Sequence, residues 1–103
     1  MIPTAVRIFV CTERQDMRRS FDALALAVKE RLELDPQSGA LFVFASKRSN
    51  RLKVLWFDRN GYCILYKRLH EARFELPDAT ESRRPMATID ARSLSTILRG
   101  VEK

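Results

Sequence analysis

A chain of 103 residues supplies one modest hydrophobic core and not two, and 46% hydrophobic with 31% charged residues excludes a disordered tail. No apolar run approaches the roughly 20 residues of a membrane-crossing helix, and the start Met1-Ile2-Pro3-Thr4 lacks the basic and long apolar stretches of a secretory signal. A single domain over residues 1–103, cytoplasmic and without a membrane partner, is therefore expected.

Val6 to Cys11 is a β-branched and aromatic run and predicts a strand. Asp16 stands where an N-cap would, and Met17, Phe21, Leu24, Val28 and Leu32 recur at steps of four, three, four and four, one face of an amphipathic helix. Asp35-Pro36 ends it, since the residue before proline avoids helical angles. Leu41 to Ala45 is apolar on both faces, as suits a strand covered on both sides. After a polar, basic loop over Ser46 to Arg51, Leu52 to Asp58 predicts the next strand, and Asp58-Arg59-Asn60-Gly61 a hairpin with Gly61 left-handed in a bulge. That register sets Lys53 opposite Lys67; a two-residue Asn60-Gly61 turn is its rival. Arg73 to Leu76 reads as a short edge strand before Pro77, and Asp78 to Pro85 as a mobile polar loop. Asp90 can cap a last helix built on Leu94, Ile97, Leu98 and Val101, with Gly100 near its end. The expected fold class is α+β: a mostly antiparallel four- to five-stranded sheet with two helices packed on it.

The net charge of +6 is not spread along the chain. Residues 41–70 carry seven basic side chains against Asp58 alone, while residues 1–40 and 71–103 each balance six bases with six acids. A charge confined to one β-rich segment points to an anionic partner for that segment. Lys47, Arg48, Arg51, Lys53, Lys67 and Arg68 are the candidate nucleic-acid contacts. Arg18, Arg19 and Arg73 are weaker candidates because nearby acids balance them, and Arg59 lies far out at the hairpin tip. Phe42, Phe44, Trp56, Phe57, Tyr62 and Tyr66 are interleaved with these bases; exposed, they would stack on unpaired bases, but most are needed for the core.

Other chemistry is not indicated. His70 is the only histidine, and Cys11 and Cys63 lack the paired spacing of a metal site, so they read as reduced core cysteines. Three scattered glycines build no phosphate loop. Neither a catalytic set, a cofactor, a metal nor a small-molecule substrate is expected.

An ordered series of residues opens with Asp16-Met17-Arg18, Phe21-Asp22 and Leu24, then Gly39 and Leu41-Phe42-Val43-Phe44. It continues through Arg51, Lys53-Val54-Leu55-Trp56, Asp58 and Gly61, then Leu65, Lys67-Arg68-Leu69 and Arg73-Phe74 before Pro77, and ends in Leu94, Ile97-Leu98 and Gly100. In these residues the chain resembles the small accessory protein encoded by the second reading frame of bacterial transposable elements of the insertion sequence 66 family. Leu76 departs from the pattern, which has an aromatic before Pro77, so no aromatic site is claimed there. The resemblance implies a non-catalytic helper in DNA transposition whose partners are the transposase and other proteins of the same element. Together with the basic segment it makes DNA the expected ligand. A protein adaptor with no DNA affinity of its own and an RNA-binding or ribonuclease-like module remain open as alternatives.

Overall fold

A computed structural model of the chain describes residues 6–80 and 83–102; the predicted Asp78–Pro85 loop and the N-terminal start fall partly or wholly outside them. Five strands form the main sheet: β1 (Ile8–Cys11), β2 (Leu41–Ala45), β3 (Arg51–Asp58), β4 (Gly61–Arg68) and β6 (Met86–Ile89). Their order is β4-β3-β2-β1-β6. A pair of two-residue strands, β5 (Ala72–Arg73) and β7 (Val101–Glu102), lies apart from it. Among the described residues only β1 and β2 run parallel, and α1 (Phe21–Arg31) supplies the crossover that a parallel pair requires.

The sheet is covered on both faces. Phe9, Cys11, Phe42, Phe44 and Leu55 point to one side and bury Leu24, Ala27 and Val28 of α1. Ile8, Val10, Leu41, Val43, Leu52 and Val54 point to the other and bury Leu94 and Ile97 of α2 (Ala91–Arg99), with Phe74. Every residue of β2 is buried, which explains its unbroken apolar run in the middle of the sheet.

The α+β expectation holds, with local corrections. The first helix begins at Phe21 after Ser20, not at Asp16. The Asp16 carboxylate instead accepts from the Arg18 amide at 2.9 Å, a local turn that competes with helix initiation. Exit from α1 comes at Leu32, well before Pro36, and Glu33 comes next with φ of 57°. The β3–β4 turn uses Arg59 and Asn60, with Asp58 paired to Gly61 and Arg59 at φ 56°. Lys53 therefore faces Tyr66, not Lys67. Strands β6 and β7 lie where none was expected, and the predicted Arg73–Leu76 strand is reduced to Ala72–Arg73. In the Asp78–Pro85 segment, Thr80 is tied to β6 by its amide on the Met86 carbonyl at 2.9 Å, and Arg84 donates to the Leu32 carbonyl at 3.1 Å.

Cys11 is buried in the α1-side core, and burial pushes its thiol pKa up. Cys63 is half-buried, pairs with Trp56 and belongs to the opposite side of the sheet, so both thiols are free. Among the described residues no helix is long and apolar enough to cross a membrane, and no group of three or more His, Cys, Asp or Glu could hold a metal ion.

Candidate nucleic-acid interface

Two structural features gather cations at one end of the sheet. The first is the β2–β3 turn. Ser46 and Arg51 are joined by the Ser46 amide on the Arg51 carbonyl (2.9 Å) and the Arg51 amide on Ser46 Oγ (3.1 Å). Ser49, at φ 59°, donates its amide back to the Ser46 carbonyl at 3.0 Å. A turn closed this way leaves Lys47 and Arg48 projecting into solvent from a fixed base. The second feature is the register of β3 against β4, which sets Arg51 directly opposite Arg68. Like charges facing one another cost stability unless something neutralises them. The bulged hairpin expected from sequence would form such a pair at Lys53 and Lys67; the observed register moves it to Arg51 and Arg68.

Among the described residues no carboxylate does the neutralising. The ion pairs Arg18–Asp16, Arg31–Glu13 and Arg73–Glu75 involve none of Lys47, Arg48, Arg51 or Arg68, and among the described residues those four make no ion pair. Between the β2–β3 turn and the β1–α1 loop lies a recess of about 420 Å³, lined by Lys47, Arg48 and Arg51 on one side and Asp16, Met17 and Arg18 on the other. Asp16 is the one acid among the described residues that line it, and Arg18 occupies it: the guanidinium donates to the carboxylate at 2.6 Å and holds its pKa well below the usual range. Four cations against one carboxylate leave the recess strongly positive.

The remaining candidates have other partners. Lys53 is only 7% exposed, and its ammonium donates to the Arg19 carbonyl at 2.6 Å while lying 4.8 Å from the centre of the Tyr66 ring. It ties the β1–α1 loop to the sheet beneath the charged surface. Lys67 projects from the opposite face and donates to the Leu98 carbonyl in the last turn of α2 at 2.7 Å, where the helix dipole favours a cation. Arg18 joins the cluster, Arg19 turns its guanidinium to Gln15 at 3.3 Å, and Arg73 pairs with Glu75 elsewhere. Structure thus gathers Lys47, Arg48 and Arg51 with Arg18 about one recess, places Arg68 opposite Arg51, and sets Lys53 and Lys67 apart.

Of the aromatics, Phe42 and Phe44 are core and Trp56, Phe57 and Tyr62 are partly buried, whereas Tyr66 is half exposed beside Arg51 and Arg68. Tyr62 shares its face but packs on the α1-side core, whereas Tyr66 lies beyond that packing, and a bulged hairpin would have turned both to the other face. A second, larger groove of about 720 Å³ runs along α1, between Leu26 and Lys29 of the helix, Tyr62 of β4, and Glu33 to Gln37.

The chain matches the family described as IS66 Orf2 like protein over residues 6–103. It is 39% identical to the uncharacterized protein y4hO of Sinorhizobium fredii (strain NBRC 101917 / NGR234) over 104 residues, covering 99% of this chain and 88% of that protein. A second protein of the same organism, the uncharacterized y4jC, is 36% identical over 72 residues, 70% of this chain and 62% of that one. No solved structure matches. The match runs from the first residue of the described fold through both helices and every strand, and on that ground the chain belongs to the IS66 Orf2-like family, non-catalytic accessory proteins of insertion-sequence transposition.

Proposed function

We propose that this accessory protein binds DNA through the basic end of its sheet and so helps to assemble the transposase on the element's ends. The observation that carries this reading is the gathering of Lys47, Arg48, Arg51 and Arg68 at one end of the sheet with no ion-pair partner among the described residues, two of them forced face to face by strand pairing. Phosphates relieve that repulsion and release counterions in doing so. Arg18 adds a fifth cation whose charge Asp16 already offsets. Lys53 and Lys67 contribute field but have their ammonium groups committed to backbone carbonyls. Phosphate contacts position a protein without reading sequence, so the proposal is one of affinity and not of base specificity.

A salt titration against labelled duplex tests it. Four engaged phosphates give a slope of log affinity against log salt of about −3.6, and each single neutralisation among the four reduces it by about 1. The quadruple Ala variant should keep its fold and lose binding. If that variant binds as the wild type does, the proposal fails.

The groove along α1 favours a second reading, a protein adaptor. It combines the half-exposed Leu26 with Asp22, Glu33 and Asp35, which outnumber Lys29 in its lining, and so suits a basic, partly apolar segment of another protein of the element. On that reading the purified protein has negligible affinity for duplex at low salt yet co-purifies with the transposase.

A further inference from the structure

We infer that Tyr66, framed by Arg51 and Arg68, is a seat for an unpaired base, so that the basic surface takes single-stranded DNA more tightly than its charge alone would give. The inference rests on the DNA-binding reading above and names the form of DNA that the same surface prefers.

Tyr66 lies on the face of β4 that α1 covers further along. Ile64 and Tyr62 pack against the α1-side core, but Tyr66 is 50% exposed, beyond the helix. It is nevertheless held in place. The Lys53 ammonium sits 4.8 Å from the ring centre, and the Arg51 guanidinium donates to the phenolic oxygen at 3.5 Å. A ring fixed in this way loses little freedom when a second flat group stacks on it. Arg51, Tyr66 and Arg68 together line a recess of about 190 Å³. The aromatic ring there adjoins two guanidinium groups, Arg51 and Arg68 facing each other across the strands beside it, and these can take phosphates next to a stacked base. In an intact duplex both faces of every base are occupied by neighbours, so only an unpaired base can use the ring.

The test compares two strands of equal charge, a twelve-residue oligothymidine and an abasic strand of the same length, so that phosphate contacts cancel. Wild-type protein should bind oligothymidine on the order of 10-fold more tightly than the abasic strand. Tyr66→Leu should bind both at the abasic level, and Tyr66→Phe should keep the preference; unchanged thermal melting shows that each variant folds. Equal affinity of the wild type for both strands, or a preference that survives in Tyr66→Leu, overturns the inference. If Arg51→Ala and Arg68→Ala still weaken binding of both strands in that case, the basic-surface reading stands without it. Absence of binding to either strand at low salt overturns both.

Discussion

Lys53 and Lys47 lie six residues apart, both charged, and have opposite duties. The Lys53 ammonium is buried against the Arg19 carbonyl, so it fixes the loop that forms one wall of the basic recess. Removing a buried charge-assisted hydrogen bond and stranding its acceptor costs about 1–3 kcal/mol. We therefore expect Lys53→Met to lower unfolding stability in urea by that amount, whereas Lys47→Ala, at an exposed turn position, stays within about 0.5 kcal/mol of wild type and shows itself only in the salt slope. A Lys53→Met variant as stable as wild type would mean that the Arg19 contact contributes nothing. Nothing in the two residues' identities separates these roles. Strand alternation does, because it turns residue 53 towards α1 and leaves residue 47 at a turn tip.

Among the elements, α2 is the one whose start the sequence specifies chemically. The Asp90 carboxylate accepts from the Ser93 amide at 2.8 Å, and that bond holds its pKa below the ordinary aspartate value of 3.8. A carboxyl depressed in the folded state stabilises it at pH above the unfolded value and gives up that contribution as pH falls through the folded one. Thermal melting of the wild type should fall as pH drops below about 4, and the part due to this cap should vanish in Asp90→Asn, which keeps an N-cap acceptor without titrating. An identical acid slope in that variant would assign the effect to Asp16 and Glu13, whose carboxyls are also held low by arginine. Elsewhere the elements are legible in the sequence by period but not by boundary. Met17 continues the helical spacing, yet it belongs to the turn before α1, because Asp16 satisfies the Arg18 amide locally and releases the backbone from the helix. The hairpin is visible in Asp58 to Gly61; its register is not, since glycine is the natural occupant of the left-handed position that Arg59 takes. That difference of one residue exchanges the face of Tyr66 and hides the half-exposed ring from a reading of the pattern. Met86 to Ile89 has no turn or alternation to announce it, and its pairing with β1 depends on residues far away in the chain.

At the scale of the whole molecule, sheet order decides where the charge goes. Strands β3 and β4 form one end of the sheet, so the segment holding the entire formal charge of +6 is placed at the margin of the protein, while the neutral flanks supply both helices and the far end. Composition alone exposes the imbalance; the order of strands, which is non-local, is needed to show that it faces outward. The same order has a bearing on how the chain is made. β2, β3 and β4 are joined by short turns and pair with their neighbours in sequence, a low-separation unit that can form early. β1, in contrast, is synthesised before them and is flanked by β2 on one side and by β6 on the other. A chain ending at Asp78 lacks both β6 and α2, leaving one side of β1 and the apolar face of Val10, Val43 and Val54 uncovered. Such a fragment should be aggregation-prone in a solubility assay, and a soluble, cooperatively melting fragment would contradict this account. During synthesis, then, the first strand of the main sheet waits for its last, and the assembly of this fold is timed by the residues beyond Asp78.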